Sequence, residues 1–358
     1  MVLKKLELHN FRNYQARVFE PEASGNLIIG PNGCGKTNLL EAISYCGIGR
    51  SVRSHKDVEI LALGAQEWMV KAEFNKDNGS RLELSMQWNE GKKVLKLDGV
   101  VARHLSSLFQ NVKTIYCAPE DLVLINGSPR YRRQFFDLAI SQIFPEYIHL
   151  LRELYHIVAQ RSTLLKSDFD RDQKRAWDQS FIKANREVLG YRLRYLKLLN
   201  DLIESGPGFI SEQGYRPIFQ YHPMVRDWEK MDSDTQMGVL LKLEIREKQW
   251  QRNLVGAHLD DYDIGLEGRA MKVYASQGQK RMAAIALKLY QASLVQKVTG
   301  IKPVLLFDDI FAELDTFHSA RVRDLTDPRD QIFVASPRSD VGANWLGLKV
   351  LKGFGESA

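Results

Sequence analysis

Gly30-Pro31-Asn32-Gly33-Cys34-Gly35-Lys36-Thr37 follows the short apolar run Asn26–Ile29 and opens the helix-forming run Asn38-Leu39-Leu40-Glu41-Ala42. The stretch matches G-x-x-x-x-G-K-[ST], and each fixed position has a physical task. Glycines let the backbone wrap so that successive N–H groups point inward at phosphate oxygens. The helix that follows adds the partial positive charge of its N-terminus at the same place. Lys36 is placed to reach the β- and γ-phosphates of ATP, and the Thr37 hydroxyl to ligate Mg2+. With glycine at about 7% of residues, chance produces the four fixed positions in roughly one such chain in a hundred. The strand-loop-helix setting makes chance rarer still. Gly30 to Thr37 is therefore read as an ATP-binding loop in an α/β protein.

A loop of this kind needs an acidic element across the sheet to hold the metal. Val304-Leu305-Leu306-Phe307-Asp308-Asp309 supplies one, a fully apolar strand ending in two carboxylates. Acids at the end of a buried strand are unfavourable unless they meet a cation or accept a proton. The reading gives Asp308 to the Mg2+ shell and makes Asp309 catalytic with Lys36, orienting or deprotonating the attacking water. A plain helix N-cap is the competing explanation, and beside the loop it is the weaker one. Many related ATPases carry glutamate at the second position; the shorter Asp309 predicts slow turnover.

Tyr274-Ala275-Ser276-Gln277-Gly278-Gln279-Lys280-Arg281 stands directly before a third helical run. Serine and glycine at a helix N-terminus make a second anion nest. One chain has one γ-phosphate and already one nest for it. By itself S-x-G-Q is usually just a helix cap; in this order and spacing Ser276, Gln277, Gly278 and Gln279 are expected to face the nucleotide of a second copy, in a two-fold homodimer with composite sites.

The chain has 358 residues, 44% of them apolar and 26% charged, with formal charge +6. These are globular values, and the excess of cations permits a polyanion partner without requiring one. Its start, MVLKKLELHNFRNY, alternates like a strand and lacks the apolar core of a signal peptide; no run is long enough to cross a bilayer. Cys34, Cys46 and Cys117 show no paired spacing, which fits a reducing cytoplasm. Strand-like stretches at Trp68–Phe74, Arg81–Trp88 and Lys93–Leu97 are separated by turn residues. Helical stripes follow at Tyr147–Leu164 and Trp177–Leu202, the second with Asp178, Arg186, Arg192 and Lys197 outside its apolar seam and ended by Gly206, Pro207 and Gly208. The expected organisation is a head of residues 1–115 and 256–358 with mixed sheets around the loop's helix, and an inserted, mainly helical lobe of residues 116–255.

The loop, the S-x-G-Q helix and the acid strand followed by Ala312-Glu313-Leu314-Asp315 resemble, in that order, the ABC-type ATPase heads of the SMC class. Within it the chain resembles the RecF family of bacterial recombination and repair proteins. That narrower likeness rests on Pro119-Glu120-Asp121, Gly127-Ser128-Pro129, Arg132-Arg133 and Phe135-Phe136-Asp137, with Asn10-Phe11-Arg12-Asn13-Tyr14 and Gly49-Arg50-Ser51-Val52-Arg53. It covers essentially the whole chain. Gly256-Ala257-His258-Leu259-Asp260-Asp261 departs from the usual pattern at Ala257 and Leu259, where Pro and Arg are common. The resemblance implies ATP-driven dimerisation on DNA at gaps or single-strand/double-strand junctions. It also implies action with RecO and RecR to load RecA and support the SOS response.

Basic residues that could hold DNA phosphates cluster at Arg50, Arg53, His55 and Lys56 and at Arg130, Arg132 and Arg133. For the second cluster, ion pairs with Glu120 or Asp137 weigh equally; Arg186, Arg192, Arg194 and Lys197 read as a solvated helix face. The alternative is an ABC-type subunit of another machine. A transporter ATPase would place a histidine after the last core strand, where Ser336-Pro337 stands. An SMC cohesion protein would need hundreds of heptad residues between the halves of its head.

Overall fold

The structure, a computed structural model, describes residues 1–166, 170–206, 216–327, 329–338, 345 and 347–351. They fall into two compact units, one drawn from Met1–Leu122 and Ser276–Ala358, the other from Val123–Pro207 and Arg216–Ala275. The first unit begins with β1 (Val2–Phe11), β2 (Tyr14–Phe19), β3 (Gly25–Ile29), α1 (Lys36–Ile48), β4 (Glu67–Asn75), β5 (Arg81–Asn89), β6 (Lys92–Leu97), β7 (Val100–Val101), α2 (Leu105–Asn111) and β8 (Thr114–Cys117). In the second unit lie α3 (Val123–Asn126), α4 (Pro129–Ile143), α5 (Tyr147–Leu164), α6 (Arg171–Ser205), β9 (Pro217–His222), α7 (Ser233–Trp250), β10 (Asp261–Leu266), β11 (Arg269–Ala270) and α8 (Met271–Tyr274). The chain then returns to the first unit with α9 (Gln277–Thr299), β12 (Val304–Asp308), α10 (Thr316–Asp324), β13 (Ile332–Ser336) and β14 (Lys349–Leu351).

Two sheets share the core of the first unit. One is antiparallel, in the order β2-β1-β4-β5-β6-β7; the other runs β14-β3-β13-β12-β8 and is parallel throughout. Alternation explains the first: β4 buries Trp68, Val70, Ala72 and Phe74 and turns the residues between them outward. Two of its hairpins close on Glu90-Gly91 and Asp98-Gly99, with positive φ at both positions of each pair. That is the type I′ geometry whose twist matches the flanking strands. Strands β3, β12 and β13 are covered on both faces and read as continuous apolar runs. Helix α1 lies between the sheets, and Leu39, Leu40, Ile43 and Tyr45 join one cluster with Leu6, Trp68, Leu306 and Phe333.

The division between units differs from the one expected at 115/116 and 255/256. Strand β8 pairs with β12, so the head continues past residue 115. Strand β10 pairs with β9 instead of joining the head, so residues 256–275 belong with the helices. The inserted lobe is thus helices plus a small antiparallel sheet, β11-β10-β9. Pro207 and Gly208, expected to end α6, lie outside the described residues; Gly206 is its C-cap.

A second correction concerns α6. The seam Phe181, Ala184, Val188 and Tyr195 is buried as expected, but so is the neighbouring stripe that carries Asp178, Asn185 and Arg192. Arg192 has no exposed surface and makes a bidentate pair with Asp137 at 2.8 and 3.1 Å, while the Tyr147 hydroxyl donates to the same carboxylate at 2.6 Å. Arg161 pairs with Asp178 at 2.8 Å and with Glu247 at 3.1 Å. Buried charges persist only when paired in this way.

The Gly256–Asp261 segment is bound into this core. Gly256 sits at φ +122, and a Cβ there would meet Phe181 at 2.5 Å. The Ala257 N–H donates to Asn185 at 2.7 Å, and Asp260 accepts from the Tyr221 hydroxyl at 2.7 Å. His258 is pushed down to about 4 by burial and by Arg161, Arg133 and Arg192. Its folded-state value lies below the unfolded one, so its contribution is whole above about pH 6.5 and is lost as pH falls toward 4. The second unit is expected to lose on the order of 2–3 kcal/mol across that window. In His258→Gln the loss should shrink markedly; urea titrations at pH 7 and 4.5 compare the two, and equal pH dependence would refute the assignment.

Candidate nucleotide site

The parallel strands bring their C-terminal ends to one edge. Ile29 of β3 pairs with Ser336 of β13, and Ala335 pairs with Asp308 of β12. Ligands of open α/β sheets bind at this edge. The loop from Gly30 leaves β3 there and feeds α1, where Gly35 is the N-cap at φ +103. A Cβ at Gly35 would meet the Asn13 amide at 2.7 Å and the Tyr14 hydroxyl at 2.8 Å, so only glycine fits. Tyr14 donates to the Gly35 carbonyl at 3.0 Å, and Asn38 donates to Asn13 at 2.7 Å. The turn Asn10–Tyr14, with Asn10 and Arg12 at positive φ, thereby braces the loop from outside.

Lys36 is buried, and its ammonium donates to the carbonyls of Gly30 and Pro31 at 2.7 and 2.8 Å. The charge is held within the curl of the loop. Thr37 Oγ1 donates to Asp308 Oδ1 at 3.0 Å across 271 positions of sequence. This contact joins the loop to the acid strand, as the sequence requires. Asp308 accepts a second hydrogen bond on its other oxygen, from the Tyr116 hydroxyl of β8 at 2.6 Å. Burial raises the Asp308 carboxyl above its ordinary value, opposed by these two hydrogen bonds. Burial, reinforced by the Asp308 charge, keeps Tyr116 protonated.

The donor set fits Mg2+. Thr37 and Asp308 offer oxygens, and a cation would relieve a carboxylate that burial disfavours. Among the described residues no cluster of three or more His, Cys, Asp or Glu could hold a metal alone. Mg2+ commonly takes one or two protein oxygens and completes its shell with phosphates and water.

Asp309 follows at φ 51 and ψ 20, with its N–H donating to the Ala335 carbonyl at 3.0 Å. It precedes a short 3-10 turn, Ile310–Glu313, yet its side chain makes no capping bond. The helix-cap explanation therefore does not account for the carboxylate.

Ser276 and Gln279 form a reciprocal capping box on α9: Ser276 accepts from the Gln279 N–H at 3.2 Å, and Gln279 accepts from the Ser276 N–H at 2.8 Å. Gln277 and Gly278 are exposed. A Cβ at Gly278 would come no nearer than 4.0 Å to Ser276 Oγ, so none of the described residues of this chain demands glycine there. Lys288 of α9 donates to the Tyr116 carbonyl and pairs with Asp121, both at 2.9 Å, tying this helix to the end of β8.

The basic candidates separate. Arg50 and Arg53 are exposed beside α1, and Arg53 reaches Asn38 at 3.0 Å and the buried Glu41 at 3.6 Å. Arg12 holds the same Glu41 with two hydrogen bonds, at 3.0 and 2.6 Å. In the second unit Arg130 is exposed, but Arg132 is buried in a bidentate pair with Asp261 and Arg133 donates to the Leu259 and Asp260 carbonyls. Arg132 is therefore a structural cation and not a phosphate contact. Its partner is neither of the acids expected, because Asp137 is taken by Arg192. Sequence reasoning gave no site role to Tyr116, because a lone tyrosine at a strand end carries no motif, and it quoted Arg12 and Glu41 without pairing them.

A phosphate loop, an acid-ended strand beside it and a capped S-x-G-Q helix, all on one parallel sheet, define an ABC-type ATPase head. The RecF/RecN/SMC N terminal domain family model matches residues 2–345. A DNA replication and repair protein RecF from Ruminiclostridium cellulolyticum is 32% identical over 326 residues, 88% of this chain and 87% of that one. A solved structure of the recombination mediator protein RecF-ATP in the RecFOR pathway superimposes with a TM-score of 0.86 at 28% identity, covering 95% of this chain and 93% of its own. The Smc head domain of Pyrococcus furiosus shares the fold, with a TM-score of 0.52 at 17% identity over 96% of this chain and 91% of that one. The chain belongs to the RecF family.

Proposed function

We propose that this chain is an ATP-binding recombination mediator of the RecFOR pathway, a slow ATPase that closes as a homodimer on gapped or junction DNA and opens on hydrolysis. The contact between Thr37 and Asp308, which joins loop and acid strand at the sheet edge, is the observation that carries the reading. The amides of Gly30–Gly35 and the Lys36 ammonium grip the phosphates. Thr37 and Asp308 would hold Mg2+, which when bound would neutralise charge on the phosphate oxygens. Asp309 takes the proton of a water attacking the γ-phosphorus, and the bond to the β-phosphate oxygen breaks to leave ADP and phosphate. An aspartate stops one methylene short of a glutamate, which favours slow turnover.

The exposed nest at Ser276–Gln279 supports a composite site. Its glycine has room for a side chain within the monomer, so a group approaching from a second copy is what would require it. Exposed Arg50 and Arg53 are the phosphate contacts proposed for DNA; Arg130 is a weaker third. RecO and RecR are the proposed partners, with RecA loading and SOS induction as the outcome. Light scattering with and without ATP tests the core of this reading. Wild type should pass from monomer to dimer, while Ser276→Arg and Gly278→Leu bind ATP normally and remain monomers. Gly278→Leu keeps the capping box, so its failure to associate separates a blocked interface from a frayed helix. A wild type that stays monomeric at saturating ATP would defeat the reading.

A further inference from the structure

We infer that Tyr116 sets the metal preference of the site, by holding one oxygen of Asp308 so that the carboxylate offers the other to a cation in preference. The inference rests on the assignment of Thr37 and Asp308 as the metal-holding pair. Asp308 has two oxygens, and the structure gives them different partners. Oδ2 accepts from the Tyr116 hydroxyl at 2.6 Å, a distance proper to a charge-assisted O–H bond, whereas Oδ1 lies 3.0 Å from Thr37 Oγ1. The phenol must be the donor, because an ionised carboxylate can only accept.

Tyr116 cannot readily turn away. It lies at the C-terminal half of β8, in register with Leu306, and is 7% exposed. Its carbonyl is fixed by Lys288, which is paired in turn with Asp121. The ring therefore holds the carboxylate plane in one orientation, with a single oxygen turned toward the loop.

Coordination chemistry gives that arrangement a consequence. Mg2+ demands near-octahedral geometry at short distances and is satisfied by one oxygen from each carboxylate. Ca2+ is larger, takes more ligands and readily uses both oxygens of one carboxylate. A tyrosine that holds Oδ2 takes one lone pair of that oxygen with the shorter of the two bonds and pins the carboxylate plane, which opposes the two-oxygen mode and disfavours the larger ion. Orienting partners of metal ligands commonly change metal affinity by about 10–100-fold when removed.

Tyr116→Phe removes one oxygen and keeps the ring. Metal-dependent binding of a fluorescent ATP analogue would be followed by anisotropy, titrating Mg2+ and Ca2+ separately into the full-length protein. The variant should need about tenfold more Mg2+ and should show a Ca2+/Mg2+ affinity ratio raised by about the same factor. Analogue binding in EDTA and the far-ultraviolet circular dichroism of the metal-free protein should stay near those of wild type, which excludes misfolding as the cause. An unchanged Ca2+/Mg2+ ratio in a folded Tyr116→Phe protein overturns the inference. Asp308→Asn separates the two levels of failure. If that variant keeps its full metal dependence, the assignment of the pair is wrong; if it loses it while Tyr116→Phe keeps the wild-type ratio, only the role of Tyr116 is wrong.

Discussion

Lys36→Met is expected to lower ATP affinity by about 100-fold or more and to abolish any ATP-dependent change in mass. The amine is the buried cation of the loop, and it already sits between the carbonyls of Gly30 and Pro31, where the loop closes on itself. Hydrogen bonds to charged groups contribute roughly 1.5–3 kcal/mol each, and Lys36 is placed to make one with each of two phosphates. Losing both corresponds to a factor on the order of 100 or more. Methionine keeps the apolar stem, so packing beneath the loop is retained while the charge is removed. Calorimetric titration with ATP and Mg2+ reads the affinity, and light scattering on the same samples reads association. Wild-type affinity in the variant would mean that the phosphates are held elsewhere, and the assignment of Gly30–Thr37 would fall with it.

Much of this candidate site was legible in the sequence because the chemistry proposed for it demands particular residue types at short spacing. A loop that wraps phosphate cannot dispense with Gly35, and an apolar strand cannot end in Asp308-Asp309 without a reason. The capping box at Ser276 and Gln279 is equally local. What the sequence hid depends on partners far apart in the chain. The unit boundary was misplaced because β10 reads like another strand of the head, and only its pairing with β9 assigns it to the other unit. Arg192 was placed on a solvated face because charges next to an apolar seam usually point outward. Its partner Asp137 lies 55 positions away on another helix, and nothing in α6 announces it. Helix α7 departs from the usual pattern in the same way, burying Gln236 and Glu247 while exposing Leu241 and Ile245. The turn residues expected between Phe74 and Arg81 and between Trp88 and Lys93 did carry local signals, and both turns close hairpins in the structure.

Arg192→Ala should cost the second unit about 3–5 kcal/mol, the penalty of stranding a buried charge. The guanidinium has no exposed surface, and its removal leaves the Asp137 carboxylate with the Tyr147 hydroxyl as its remaining side-chain donor in this cluster. The Ala257 carbonyl would lose its side-chain donor as well, loosening the Gly256–Asp261 segment. A surface arginine in contact with DNA predicts something different: native stability and weaker, salt-sensitive DNA binding. Urea unfolding separates the two, read on the transition of the second unit. The double variant Arg192→Met with Asp137→Leu sharpens the comparison, because replacing both members of a buried pair by apolar groups is often neutral or stabilising. Recovery of most of the lost stability in the double variant would show that an unmatched charge causes the damage in the single one. A single variant as stable as wild type would mean that the pair does not hold α4 to α6, and that Arg192 has to be reconsidered as a functional cation.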